Sequence, residues 1–277
     1  MCASVSGTGG TVETRATIVV EGRTLTYLRA GSGPPLVLLH GIGGNATQWR
    51  HQLAGLSDAY DILAWDAPGY GGSDDPGAGW VLADYADCLA GLLDALGLEQ
   101  VHLLGQSWGG VLAQEFYRRH GERIRTLSLA DTFQAGSQPA DERRAALEAR
   151  LQALETMTPA EMARVRTPAL VGRGAGPQAL AEIEQMMAEI RPSGYRHAAV
   201  VLAEADTRTA LVGIAIPCLV IAGEHDKIVP RALSAELHAA IPGAQWALIS
   251  GAGHLSGQER PDAFNAVVRE FLAHPSG

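Results

Sequence analysis

Apolar and polar residues alternate with a period of two through "ATIVVEG" and "RTLTYLRAG", a pattern that predicts a β-hairpin turning at Glu21-Gly22. "PPLVLLHG" comes next as a continuous apolar run, as expected of a strand buried on both faces in a parallel sheet. "YDILAWD" reads as the next strand. In "VLADYADCLAGLLDALG" the period lengthens to that of a helix, with Leu82, Tyr85, Leu89, Leu92 and Leu96 on one face and Gly97 at its end. Strand "QVHLLG", a helix from Trp108 to about His120 and strand "IRTLSLAD" continue the alternation. The rhythm implies an α/β fold, a mostly parallel sheet flanked by helices.

From Thr132 to about Leu211 the strands stop. "DERRAALEARLQALETM", "TPAEMARV", "PQALAEIEQMMAEI" and "GYRHAAVVLAEA" all read as helices. The sheet resumes at "IPCLVIAG", followed by a helix from about Arg231, the strand "AQWALISG" and a closing helix from Pro261 to about Ala273. The expected organisation is a flexible tail over 1–14, a core formed by 15–132 and 212–277, and a helical cap over 133–211 inserted after the sixth strand of one domain. Such an insertion stands over the carboxyl ends of the strands, where open α/β sheets bind ligands. Apolar cap residues such as Leu147, Leu151, Leu154, Met186, Met187 and Ile190 are expected to close over that site.

Composition narrows the partners. The 277 residues carry a net charge of −9, which argues against nucleic acid and anionic membranes as partners and leaves a small-molecule substrate. No apolar run is long enough to span a bilayer, and the opening "MCASVSGTGGTVETR" lacks the basic start and apolar core of a signal peptide. Cys2, Cys88 and Cys218 are scattered, as suits a reducing cytoplasm, and Cys88 and Cys218 read as small buried hydrophobes. Oligomeric state is left open.

Candidate chemistry begins at "LLGQSWGGVLAQEF", Leu103 to Phe116. Gly105-Gln106-Ser107-Trp108-Gly109 fits G-x-S-x-G at a strand–turn–helix junction, where small residues let a serine stand exposed at the sheet's edge. Taken alone, Ser107 is a serine in a glycine-rich turn. A base and an orienting acid must accompany it if it is a nucleophile. "IAGEHDKIVP" places Asp226 beyond one strand, and "ISGAGHLSGQERP" places His254 beyond the next. Oxyanion donors are expected in the Trp108 N–H and, from "HGIGGN", the Ile42 N–H, with His40 holding loop backbone. Asp131, at the end of "SLAD", is an alternative acid that otherwise bonds the cap's first turn. Gln106, Met186, Met187 and Tyr195 are candidate pocket residues, weighed against plain core roles. No HExxH or CxxC spacing appears, so neither a metal nor a cofactor is implied.

"HGIGGN", "AWDAPGYGGSD", "GQSWGG", "GEHD" and "GAGH", in this order, resemble the α/β-hydrolase fold superfamily over nearly the whole chain. Within it, the short helical cap and its exit look most like the 3-oxoadipate enol-lactonase group. The resemblance implies a serine hydrolase that cleaves a carboxylic ester or enol-lactone of a small organic acid through an acyl-enzyme at Ser107. It implies a turn-fixing role for Asp66. The alternative is a carbon–carbon bond hydrolase of the meta-cleavage-product type, in which an Asn usually precedes the nucleophile where this chain has Gln106. A binding protein that uses the pocket without turnover is the reading from another class, and an intact Ser–Asp–His set speaks against it.

Overall fold

Glu21 and Gly22 both take left-handed backbone (φ 49° and 78°), so the chain reverses there and β1 (Thr14–Val20) pairs antiparallel with β2 (Arg23–Ala30). The structure is a computed structural model and describes residues 13–211 and 213–275. Thr14, expected in the tail, is the first residue of β1; the rest of that tail, Cys2 included, lies outside the described residues apart from Glu13. β3 (Pro35–Leu39), β4 (Asp61–Trp65), β5 (Val101–Gln106), β6 (Ile124–Ala130), β7 (Cys218–Gly223) and β8 (Gln245–Ile249) complete a sheet of the order β1-β2-β4-β3-β5-β6-β7-β8. From β4 to β8 every pairing is parallel.

Side chains of a strand point alternately to opposite faces, so each apolar run feeds two cores. Val37, Leu39, Leu103, Leu127 and Val220 bury against α2 (Leu82–Ala95), α3 (Trp108–His120) and α9 (Arg231–Ala240). Leu36, Leu38, Leu104, Leu219 and Ile221 bury on the other face against α1 (Arg50–Leu56) and α11 (Pro261–Ala273). Cys88 and Cys218 lie within the first core, and burial pushes each thiol up to about 12. No helix among the described residues is long and apolar enough to cross a membrane.

Between β6 and β7 the chain forms α4 (Ala140–Thr156), α5 (Pro159–Leu170), α6 (Pro177–Ala188), α7 (Pro192–Glu204) and α8 (Arg208–Leu211). Thr158 caps α5 reciprocally with Glu161, and Pro starts α5, α6 and α7 where its missing N–H costs nothing. These helices are pinned to the sheet domain by polar contacts. Arg191 donates to the Ser73 carbonyl at 2.8 Å and pairs with Asp75, Asn45 donates to Glu189 at 3.0 Å, and His51 meets Glu182 at 2.7 Å. At one point backbone meets backbone: Gly194 on α7 packs so closely on Gly69 that a methyl group would overlap the Gly69 carbonyl.

This contact leaves no room for a side chain. Gly194→Ala is expected to destabilise the fold by about 1–3 kcal/mol, the usual cost of forcing atoms into a packed contact. Gly213→Ala, where nothing lies within 4 Å, is its control in a thermal melt. Equal melting temperatures for the two would refute the contact. His102 on β5 is buried beside Thr126 Oγ1 at 2.8 Å, and burial, aided by Arg125, lowers its pKa from 6.5 to about 4. The unfolded chain therefore binds this proton first as pH falls, and the stability held by neutral His102 is lost from about pH 6.5 down to 4. His102→Gln removes that titration. Its stability in urea should fall less steeply than the parent's between pH 7 and about 4.5; parallel curves would rule the linkage out.

Candidate active site

Ser107 occupies the turn between β5 and α3, and its own backbone is strained into the left-handed region (φ 54°, ψ −120°). Surrounding bonds hold it there. Its N–H donates to the Ala130 carbonyl at 3.0 Å, and its carbonyl accepts from Gly110 N at 2.9 Å and Thr132 Oγ1 at 2.7 Å. The flanking glycines serve close packing: a methyl at Gly105 would strike the Gly109 carbonyl, and one at Gly109 the carbonyls of Leu39 and His40. The expectation of an exposed serine at the sheet's edge needs correcting. β5 is central in the sheet, and Ser107 is only 6% exposed because α4–α7 and their loops lie above it.

His254 approaches from the loop after β8. Its Nε2 lies 2.9 Å from Ser107 Oγ and its Nδ1 2.8 Å from Asp226 Oδ2. Asp226 comes after β7, and its other oxygen accepts the amides of Ile228 and Val229 at 2.8 and 2.9 Å. That leaves Oδ2 aimed at the imidazole. All three side chains are buried. Asp131 is close by but differently occupied: Oδ1 accepts from Gly223 N at 2.9 Å, and Oδ2 from Ser256 N and Oγ at 3.1 and 2.6 Å. Its partners are β7 and α10 (Ser256–Glu259), not the first turn of the cap as expected. Burial, followed by the charge of Asp226, raises the Asp131 carboxyl well above the ordinary carboxylate range.

The remaining sequence candidates separate into pocket and scaffold. His40 accepts the Ala67 amide at Nε2 (3.1 Å), which makes Nδ1 the donor to the Gly41 carbonyl at 2.8 Å. Burial lowers its pKa, so it is a neutral loop brace. Asp66 accepts from Ala46 N, Thr26 Oγ1 and Arg15 and fixes its turn. Gln106 donates to the His254 carbonyl at 2.6 Å and accepts from Gln48 at 3.2 Å. Tyr195 packs with Met162 and Ile190 against Ile42, lining neither cavity at the serine. The Trp108 indole is buried against Tyr85.

Two cavities reach Ser107 and His254. The smaller, about 20 Å³, is bordered by Gln106, Met186 and Met187. The larger, about 360 Å³, shares Ile42 and Met187 with it and extends under α4 and α5. Of the apolar residues expected to roof the site, Met186 and Met187 border these cavities and the α4 leucines do not; α4 presents Glu142, Arg143, Ala146 and Arg150 to the larger one instead. Arg166 and Lys227 also line it. None of these six is among the residues expected at the site from the sequence. The signal was there in the spacing of Arg143, Ala146 and Arg150 on one helical face, and in Lys227 being the single lysine of the chain. Gln48 and Glu259 were likewise not expected. Glu259 is a buried carboxylate that accepts Gly253 N at 2.9 Å, Leu255 N at 3.3 Å and Gly172 N at 2.7 Å, tying the His254 loop to the end of α5.

Residues 34–261 match the family model described as alpha/beta hydrolase fold. The chain is 29% identical to 3-oxoadipate enol-lactonase 2 of Acinetobacter baylyi, over 92% of this chain and 96% of that protein. It is 31% identical to 2-hydroxymuconate semialdehyde hydrolase of Pseudomonas sp. strain CF600, over 92% of this chain and 93% of that one. Among solved structures, a thermophilic esterase from Thermogutta terrifontis superposes with a TM-score of 0.85 at 29% identity, covering 95% of this chain and all of the esterase.

Glu259 gives a test of how the histidine loop is held. Burial raises its carboxyl against the opposing pull of three amides. Glu259→Gln leaves one acceptor oxygen and turns an NH2 group toward an amide N–H, at a cost of about 1–3 kcal/mol. A thermal melt should drop by roughly 2–10 °C. An unchanged melt would show that the loop is held by other contacts.

Proposed function

The chain belongs to the alpha/beta hydrolase family, and from that premise we propose that it is a serine hydrolase cleaving a carboxylic ester or lactone of a small organic acid. One observation carries the reading: the unbroken Ser107–His254–Asp226 chain at 2.9 and 2.8 Å beneath a cavity of about 360 Å³. In the proposed reaction His254 Nε2 takes the proton of Ser107 Oγ as Oγ adds to the substrate carbonyl. The imidazolium that forms is stabilised by Asp226 Oδ2, which accepts from Nδ1–H. The negative charge on the carbonyl oxygen is met by the N–H groups of Ile42 and Trp108, neither of which donates to another group among the described residues. His254 then returns the proton to the leaving alkoxide or enolate, leaving an acyl ester on Ser107. A water, deprotonated by the same imidazole, releases the acid.

Relatives named as enol-lactonase and esterase support this choice of bond. The relative named as 2-hydroxymuconate semialdehyde hydrolase keeps the alternative reading, a hydrolase of the meta-cleavage-product type, in play. Gln106 weighs against that alternative, because it stands before the nucleophile where the meta-cleavage-product hydrolases usually carry Asn.

Ser107→Ala is expected to abolish labelling by a fluorophosphonate and to lower p-nitrophenyl ester turnover by on the order of 10⁴–10⁶, with the fold retained. Asp226→Asn should lose on the order of 10⁴ in kcat, because it disturbs the imidazole's tautomer and its cation. Asp131→Asn should lose roughly tenfold or less, since its carboxyl does not meet the ring. Should Ser107→Ala keep a tenth of the parent activity, or should Asp131→Asn prove the more damaging of the two acid variants, the assignment would have to be withdrawn.

A further inference from the structure

The smaller cavity at Ser107 and His254, about 20 Å³, has a neighbour deeper in the protein. This inner space of about 10 Å³ shares Gln48, Gln106 and Leu255 with it but does not reach the serine. Trp49, just before α1, and Gln258 on α10 close it on the far side. A single water takes about 10–15 Å³ of such space, so both volumes are on the scale of water molecules. The inner lining is also polar in the way a water requires. Trp49 Nε1 and both ends of the Gln258 carboxamide are buried and have no hydrogen-bond partner among the described residues. Buried polar atoms cost free energy unless something meets them. Between the two spaces stands an amide pair. Gln48 Nε2 donates to Gln106 Oε1 at 3.2 Å, and Gln106 Nε2 donates to the His254 carbonyl at 2.6 Å. Each of these NH2 groups carries a second hydrogen that the named bond does not use. A chain of polar atoms thus runs from the inner space to the loop that carries the imidazole.

We propose that Trp49 and Gln258 hold a water in the inner space, and that the Gln48–Gln106 pair passes it to the cavity at Ser107 and His254 as the water that hydrolyses the acyl-enzyme. This rests on the serine-hydrolase reading for the step the water performs, but not for its binding. The held water accepts from the Trp49 indole N–H and bonds the Gln258 carboxamide, which satisfies atoms the protein itself leaves over. In the step it serves, the water oxygen bonds to the acyl carbonyl carbon as a proton passes to His254 Nε2. That proton returns to Ser107 Oγ as the bond between Oγ and the same carbon breaks, and the acid is released. Trp49 and Gln258 line neither cavity at the serine, so they are positioning residues. The supply is selective by size. An acyl chain and any competing alcohol have to use the larger cavity of about 360 Å³, whereas the inner space admits nothing bigger than water. Water is therefore in place on one side of the acyl-enzyme while the substrate's own atoms fill the other.

The test follows one acyl-enzyme along two exits. The full chain is given p-nitrophenyl butyrate in buffer containing methanol, and the butyrate and methyl butyrate formed are measured. Their ratio reads the second step whichever step is slow. Trp49→Phe and Gln258→Met keep the size of the side chain and remove its unpartnered polar atoms. In both, the ratio of acid to methyl ester should fall about 3–10-fold while methyl ester formation holds. Trp65→Phe removes an indole N–H that is also buried and unpartnered but borders neither space, and it should leave the ratio unmoved. A ratio unchanged in both variants, or shifted as far by Trp65→Phe, would overturn the proposal. A crystal structure of the parent is the second readout and needs neither turnover nor a variant. It should show a water about 2.7–3.2 Å from Trp49 Nε1 or the Gln258 carboxamide. A dry inner space with fluorophosphonate labelling of Ser107 intact overturns the water site and leaves the hydrolase reading standing. Loss of labelling in the parent with that water in place strikes the hydrolase reading, and the delivery step with it, but not the site.

Discussion

The structure turns on one imidazole that has to be met from both edges. His254 has a carboxylate on one ring nitrogen and a hydroxyl on the other, and the three groups arrive on loops after three different strands. Hydrogen-bond reach tolerates only a few tenths of an ångström, so the strand ends must be fixed to that tolerance. The parallel register from β3 through β8 sets the coarse positions. The fine positions come from buried polar side chains acting as spacers between loops. Asp131 joins β7 to α10, Gln106 joins the serine turn to the histidine carbonyl, and Gln48 joins Gln106 to the amide of Gly41. Each spacer is a polar group buried at a cost unless its partners stay in place, which makes loosening of any one loop unfavourable to the others.

Charge is layered about this centre. Carboxylates lie beneath and beside the imidazole, with Asp226 on the ring and Asp131 and Glu259 under the loops that carry it. Cations lie above, around the cavity. These carboxyl groups accept backbone amides, which oppose the rise that burial imposes on Asp131 and Glu259. The guanidinium groups of Arg143, Arg150 and Arg166 are satisfied less fully, since their Nε atoms have no partner among the described residues. A group that only holds structure has its partners built in.

Most of the fold was legible in the sequence because it rests on periodicity. Runs such as "PPLVLLHG" and "CLVIAG" have no polar face, and only a strand covered on both sides accommodates them. The turn at Ser107 was legible because glycines are required wherever backbones touch, as Gly105 touches Gly109. The placement of Ser107, His254 and Asp226 near one another was readable from loop order, and the same order put Asp226 ahead of Asp131, although the partners that hold Asp131 were not readable. Both come after strands at the same end of the sheet, and only the amides that each accepts distinguish them. The cap was read less well. Its leucines were expected to face the site, but α4 has no fully buried residue and turns Arg143 and Arg150 toward the cavity. Hydrophobic pattern finds faces that pack and is blind to a polar face that lines a cavity.

That blindness has an energetic origin. A helix packs by its apolar stripe when burial outweighs the ordering of its side chains, and α4 obtains little from such a stripe. Its position is set instead by α7, against which it packs and whose Ala203 carbonyl accepts from Arg143. Burying the Nε atoms of Arg143 and Arg150 without partners works against the fold, so the contact with α7 has to outweigh that cost.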